Sequence, residues 1–274
     1  MTKSIGIIGF GKIAQAVILP LIERDFFKPE NIVAIVGSEK NVLNLRSKFP
    51  KGLRLFCSND SQSVIAWDAP IKILSVKPQQ ICEIKEQESK IIEKSGSRAI
   101  LISLLPGINL AKLQRKFPNH ICVRAIVNTP ILIGKGLTCF SWGEGIQENH
   151  KSLVRNIFEP ISELFELPEK NLDSFLALTS SGPAYVAMIA ESLSDGAVAS
   201  GLSRELSDYL SLQTLQSSAQ LMKERKLHPG QLKNLITSPA GTTIEGLRHL
   251  EMSGLRSALI EAVVAAAERS RNMI

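Results

Sequence analysis

The stretch Gly6-Ile7-Ile8-Gly9-Phe10-Gly11-Lys12-Ile13-Ala14 decides the fold. An apolar strand runs straight into Gly-x-Gly-x-x-Ala, and a helical pattern follows. In such a turn the first glycine takes the tight bend and the second lets a pyrophosphate approach the backbone. The small third residue lets helix and strand pack closely. The phosphates then meet unpaired N–H groups at the positive end of the helix dipole. Gly9, Phe10, Gly11, Lys12, Ile13 and Ala14 are therefore the candidate cofactor contacts of a dinucleotide-binding unit; the alternative is a glycine turn with no ligand. Pro20 falls inside the following helix and is expected to kink or shorten it.

Working outward, short runs rich in Ile, Val and Leu recur at 4–8, 31–36, 53–56, 71–76, 98–104, 121–127 and 137–142. They are apolar on both faces, as parallel strands covered by helices are. Helical periodicity fills the gaps at 12–24, 39–49, 79–94 and 109–116. The alternation predicts a Rossmann-type, doubly wound, mainly parallel α/β sheet. From about residue 147 the strand signal vanishes. Helical patterns cover 147–165, 183–200, 204–225, 242–252 and 255–273. Gly182-Pro183 and Ser238-Pro239 suit helix starts, and Gly201 and Gly254 suit helix ends. The expected domains are 1–166, dinucleotide-binding, and 167–274, all-helical. The segments 173–200 and 255–273 are apolar over most of their circumference, more than so short a domain can bury by itself. A homodimer formed through the helical domain is expected.

The 274 residues carry 32 Lys+Arg against 26 Asp+Glu and are 44% hydrophobic, which excludes a disordered chain. No apolar run is long enough to span a bilayer, so no membrane partner is expected. The first residues lack a cleavage-site pattern, and a cytoplasmic protein without a leader is expected. Four separated cysteines (Cys57, Cys82, Cys122, Cys139) predict buried free thiols, and no His, Cys or Asp spacing predicts a metal. Residues 1–166 hold 22 basic and 15 acidic residues (+7) and 167–274 hold 10 and 11 (−1), so an anionic ligand fits the first part. The basic residues are scattered, which argues against nucleic acid.

Cofactor choice is read at the end of the second strand, Val36-Gly37-Ser38-Glu39-Lys40. Ser38 and Lys40 suit the 2′-phosphate of NADPH, whereas Glu39 suits the ribose of NADH if the strand ends later; NADPH is expected, with NADH possible. Val76-Lys77-Pro78 follows a strand end, where open α/β sheets bind ligands. Asn128 follows another; its amide suits a carboxamide, or it forms an Asx-turn before Pro130. Ser238–Thr243 opens a helix whose N–H groups suit a carboxylate, although Ser and Thr there also serve as plain caps.

The chain resembles the pyrroline-5-carboxylate reductases. The motifs are Gly9-Phe10-Gly11-Lys12-Ile13-Ala14, Val76-Lys77-Pro78, Asn128-Thr129-Pro130, Ser181-Gly182-Pro183-Ala184-Tyr185 and Ser238-Pro239-Ala240-Gly241-Thr242-Thr243. They occur in family order over essentially the whole chain. The resemblance implies hydride transfer from NADPH to the C=N carbon of 1-pyrroline-5-carboxylate. It further implies dinucleotide contacts at Val76, Lys77 and Pro78, and a carboxylate cradle of Gly241, Thr242 and Thr243 with Ser181 and Ser238 nearby. The Thr243 hydroxyl would face the imine nitrogen as the catalytic group, and dimers would build a larger ring. Tyr185 reads as core. The chain departs from the family pattern at Ile126-Val127, at Leu105-Pro106-Gly107 (expected to crowd the cofactor-facing loop), at Thr179-Ser180 and at Ala240, where a glycine is usual. Two other readings are a β-hydroxyacid dehydrogenase, disfavoured because 183–200 lacks a lysine, and a cofactor sensor with little turnover.

Overall fold

The computed structural model describes residues 4–84 and 98–273. The chain forms two compact units, Met1–Ser180 with Ala267–Ile274, and Ser181–Ala266.

The first unit is built on one eight-stranded sheet: β1 Ile5–Ile8, β2 Ile32–Val36, β3 Arg54–Cys57, β4 Ile71–Leu74, β5 Ala99–Ser103, β6 His120–Ile126, β7 Gly136–Trp142 and β8 Ser162–Glu166. Their order is β3-β2-β1-β4-β5-β6-β7-β8, and every pair is parallel except β6 with β7. Pleating sends alternate residues to opposite faces. Ile5, Ile7, Ile32, Ala34, Ile73 and Val123 enter one core, and Ile8, Val33, Ile35, Leu74 and Cys122 the other. This two-sided burial is why the strands are continuous apolar runs in the sequence. Helices α1 Lys12–Glu23, α2 Glu39–Arg46, α3 Leu110–Lys116, α4 Glu148–Phe158 and α5 Leu172–Thr179 belong to this unit. Ser38 caps α2, its Oγ accepting from the Asn41 N–H, and Asn109 caps α3 through the Lys112 N–H. Gly6 is fixed by packing, since a Cβ there would stand 1.9 Å from the Ala66 carbonyl oxygen.

Expectations change at several points. The segment 147–165 is not one helix: α4 ends at Phe158 and the chain returns as β8. That edge strand is held by polar contacts. Trp142 Nε1 donates to Glu166 Oε2 at 2.7 Å and Arg155 Nε to Glu166 Oε1 at 2.8 Å. Burial pushes the Glu166 carboxyl up, yet these bonds outweigh it and hold it below its ordinary value. α1 runs past Pro20 to Glu23; Pro20 has no N–H to give the Ala16 carbonyl, and the helix ends within one turn of it. Cys57, Cys122 and Cys139 are buried and in no disulfide, whereas Cys82 is exposed. Burial pushes the Cys139 thiol up to about 11, so it is inert at neutral pH. Of the helix expected over 79–94, residues 78–80 form a single 3-10 turn, and 85–97 lie outside the described residues.

The second unit consists of α6 Gly182–Ala199, α7 Arg204–Arg225, α8 Pro229–Leu235, α9 Thr242–Met252 and the start of α10 Leu255–Arg271. Pro183 lies in the first turn of α6, while Gly201 (φ +103°) and Gly254 (φ +74°) follow helices as left-handed residues. Tyr185 ties α6 to α10 by donating its O–H to the Ala262 carbonyl at 3.2 Å. Ser194 Oγ donates to Asp208 at 2.5 Å and accepts from Arg204 Nη1 at 2.9 Å. Among residues 181–266 the buried ones are Ala190, Ser194, Ser207 and Ser211, all small. Met188, Leu212, Leu235, Ile236, Met252 and Ile260 are each more than half exposed. No helix of the described residues is long and apolar enough to cross a membrane.

Candidate active site

The glycine turn is assembled from three strand ends. Gly9 and Phe10 N–H both donate to the Ile35 carbonyl at the end of β2, at 3.1 and 3.0 Å, and Ser75 N–H donates to the Ile8 carbonyl at 2.8 Å. Gly9 has φ +90°, and a Cβ there would meet Val76 Cγ1 at 2.6 Å and the Ser75 carbonyl oxygen at 2.7 Å. Here the protein itself demands glycine, through both backbone and space. At Gly11 it does not: the nearest atom to a Cβ would be the Ser75 oxygen at 3.9 Å. Gly11 is the N-cap of α1 and has no side chain to satisfy the first N–H groups of that helix. An open approach to orphan donors at a positive helix end fits a pyrophosphate. Ala14 is fully buried, as close packing of helix on strand requires. The Phe10 ring is also buried, 5.0 Å from Phe49, so Phe10 has only backbone to offer a ligand, whereas Lys12 and Ile13 are exposed.

β2 ends at Val36, so Glu39 lies in the first turn of α2 and no carboxylate stands directly at the strand end. The residues there are the exposed Gly37 and the half-buried Ser38, followed by exposed Lys40. Val76 packs beside Gly9, and Lys77, in extended conformation, precedes the turn Pro78–Gln80. The structure therefore brings Gly9, Gly11, the end of β2 and the Ser75–Val76 segment together at the carboxyl edge of the sheet.

Asn128 does not form the Asx-turn. It is buried, and its Oδ1 accepts from the Leu137 N–H at 2.8 Å, pinning the return strand. Its side chain has only Nδ2 donors left to offer a carboxamide oxygen. Leu105, expected to crowd the cofactor-facing loop, has its side chain buried. Leu104 and Leu105 both point into the cores, and the loop turns at Gly107 with φ +73°.

Ser181, Ser238, Gly241, Thr242 and Thr243 lie in the helical unit. Ser181 is the N-cap of α6 without a side-chain cap bond. The N-cap of α9 is Gly241, and no side chain caps that helix either. Neither Ser238 nor the two threonines make a side-chain cap bond to α9, so its first N–H groups have no side-chain partner. Gly241 is packed tightly, since a Cβ would stand 2.3 Å from Ser238 Oγ. Ala240 adopts φ +53°, a left-handed conformation that sequence reading did not anticipate. The signal was present, because Ala240 occupies a position where a glycine is usual.

Comparison with known proteins follows this geometry along the whole chain. Residues 169–273 match the family model described as pyrroline-5-carboxylate reductase dimerisation, and residues 4–107 match that of NADP oxidoreductases, coenzyme F420-dependent. The pyrroline-5-carboxylate reductase of Synechocystis is 37% identical over 100% of this chain and 99% of its own length. That of Glycine max is 35% identical over 98% and 96%. The chain belongs to the pyrroline-5-carboxylate reductase family. Among solved structures, the Plasmodium falciparum pyrroline carboxylate reductase with NADP bound superposes with a TM-score of 0.85 at 31% identity, covering 98% of this chain and 97% of that one. The Streptococcus pyogenes enzyme gives 0.84 at 25% identity over 98% of both chains.

Proposed function

We propose that this protein is a pyrroline-5-carboxylate reductase that uses NADPH to make proline in the cytoplasm. The observation that carries this reading is family membership over the whole chain, at 37% identity to the Synechocystis reductase. NADPH supplies a hydride from its C4 to the C=N carbon of 1-pyrroline-5-carboxylate. The backbone of Gly9–Ala14 holds the pyrophosphate at the start of α1. Ser38, with Lys40 beside it, receives the 2′-phosphate, so NADH serves less well. Val76, Lys77 and Pro78 line the dinucleotide, and Asn128 donates from Nδ2 to the carboxamide. The free N–H groups of Thr242 and Thr243, which follow the N-cap Gly241, hold the substrate carboxylate, with Gly241, Ser238 and Ser181 beside it; the Gly241 N–H itself donates to the Ser238 carbonyl at 3.1 Å. Thr243 Oγ1 holds the proton at the imine nitrogen, directly or through a water. Because the cyclic imine is itself basic, the protein has chiefly to orient it and exclude solvent. The working form is a homodimer joined through the helical unit, and dimers assemble further into a ring.

The test is NADPH oxidation by the purified protein with 1-pyrroline-5-carboxylate, run beside NADH. Turnover with NADPH in excess of NADH is expected. Thr243→Ala should lower kcat by about 10²-fold, the scale of a positioned proton donor, with NADPH affinity unchanged. Undiminished turnover in that variant would overturn the role given to Thr243.

A further inference from the structure

Arg124 stands on β6 with its side chain 4% exposed, on the opposite face from Val123 and Ala125. Strand register places it between Ser103, the last residue of β5, and Ser141 of β7, both buried. A guanidinium cannot shed its charge, and a charge taken out of water needs a partner. Arg124 has one: Nη1 donates to Glu169 Oε1 at 2.9 Å, while its buried Nε and Nη2 carry no hydrogen bond. The same Glu169 oxygen accepts from the Leu110 N–H at 2.6 Å. That amide begins α3 and is not reached by the cap, since Asn109 Oδ1 is bonded to the Lys112 N–H. One carboxylate oxygen thus joins β6, the start of α3 and the turn Glu169–Asn171 that leads into α5.

These segments frame the carboxyl edge of β5 and β6. The loop 104–109 runs between Ser103 and α3, and Asn128 lies four residues beyond Arg124. The glycine turn and Ser38 belong to the other half of the sheet, on β1 and β2. A doubly wound sheet has two mononucleotide-binding halves meeting where the strand order reverses. The β4-β5-β6 half is the one left for the nicotinamide when the 2′-phosphate lies beyond β2.

We infer that Arg124 and Glu169 are positioning residues for the hydride transfer, a pair that fixes the 104–110 loop and the Asn128 end of β6 without taking part in phosphate binding. The inference rests on the reductase reading. It assigns the pair a mechanical role: Glu169 pins the loop, and Arg124 holds Glu169 in place.

Two full-length variants test it, Glu169→Ala and the double variant Arg124→Met/Glu169→Met. The double variant removes both charges together, which a core tolerates far better than removal of one. In Glu169→Ala, kcat should fall at least about tenfold while the Kd for NADP⁺ stays within about threefold, since every 1.4 kcal/mol is tenfold and the phosphate-binding turn is untouched. Deuterium exchange over 104–116 should accelerate by a similar factor. The double variant should keep a Tm close to wild type and still show both the kcat loss and the faster exchange, which separates positioning from stability. Wild-type kcat in the double variant, unchanged exchange over 104–116, or a Kd for NADP⁺ that rises in step with the kcat loss would overturn the inference. A wild-type protein with no 1-pyrroline-5-carboxylate turnover would instead sink the reductase reading, and exchange and NADP⁺ binding would still decide whether Glu169 pins the loop.

Discussion

In the sheet unit every residue of β1, β2, β5 and β6 is buried, whereas in 181–266 the buried residues are Ala190, Ser194, Ser207 and Ser211. Both regions are rich in Leu, Ile, Val and Ala. The sheet presents two faces to helices of its own unit and so closes two cores. The helical unit packs α6 on α7 through serines and leaves its large apolar side chains outside, including a groove lined by Leu247, Leu250, Leu255, Leu259 and Ile260 with Lys233, Glu251 and Arg256 beside them. Apolar surface on this scale is stable in water only when something covers it. The match of residues 169–273 to a dimerisation family model fits a second copy in that place. One region therefore carries its stability within itself, and the other draws it from association.

That contrast can be broken most forcefully in the helical unit. Ile260→Glu should raise the dimer dissociation constant about a thousandfold or more, a loss of about 4 kcal/mol from a charge facing an apolar interface. Sedimentation should then show monomers, and the rise of Tm with protein concentration expected of the wild-type dimer should vanish. A variant that remains dimeric would place the interface elsewhere.

Next in size is a pair of changes inside the sheet unit. Gly9→Ala should cost roughly 3 kcal/mol, because φ +90° and atoms at 2.6 and 2.7 Å both oppose a Cβ. Gly11→Ala should cost about 1 kcal/mol or less yet weaken NADPH at least tenfold, since the room a Cβ would take is room for phosphate. Denaturant melts beside NADPH titrations separate the two; equal stability losses would show that Gly11 is structural.

Acid also reaches the sheet unit through one side chain. Burial, with the charges of Lys72 and Arg98, pushes His120 from 6.5 down to about 4. Between those values the unfolded chain binds the proton and the folded one does not, so stability falls as pH drops from 6.5 toward 4. The loss amounts to at most about 3 kcal/mol. His120→Phe, beside the Trp67 and Phe117 rings, should flatten the melting profile over that window. An unchanged slope would assign the acid sensitivity to other groups.

The smallest effect belongs to Ala240. Its left-handed backbone costs about 1–2 kcal/mol, and the chain entropy of a glycine would offset part of that. Ala240→Gly should therefore stabilise by up to about 1 kcal/mol, readable as a small rise in Tm. A fall would show that the alanine methyl makes a contact worth keeping.

The sequence was most legible where one local rule governs. Two-sided apolar runs marked the parallel strands, and Gly-x-Gly-x-x-Ala marked the turn, since Gly9 and Ala14 each answer to a neighbour fixed by the βαβ unit and Gly11 stands at the open start of the helix that follows. It was least legible where distant residues decide. β8 reads Ser-Glu-Leu-Phe-Glu, an edge strand without an apolar run, and what holds it is its pairing with β7 and the bonds of Trp142 and Arg155 to Glu166. Arg124 and Glu169 are 45 residues apart, and the bond of Asn128 goes to Leu137 rather than to the turn beside it. The site motifs in the helical unit gave their positions but not their state. Nothing local marks the start of α9 as uncapped, and the left-handed backbone of Ala240 is signalled only by its standing where a glycine is usual.

The Ile35 carbonyl, shared by Gly9 and Phe10, makes the glycine turn and the end of β2 a single hinge-free piece. A redesign of cofactor preference that edits Gly37–Lys40 while leaving Ile35 in place would alter the ribose pocket alone. Any edit that shifts the end of β2 would drag the phosphate seat with it. For an engineer, the tolerant boundary of this enzyme runs between Val36 and Gly37, and swaps of cofactor loops from relatives should be spliced there.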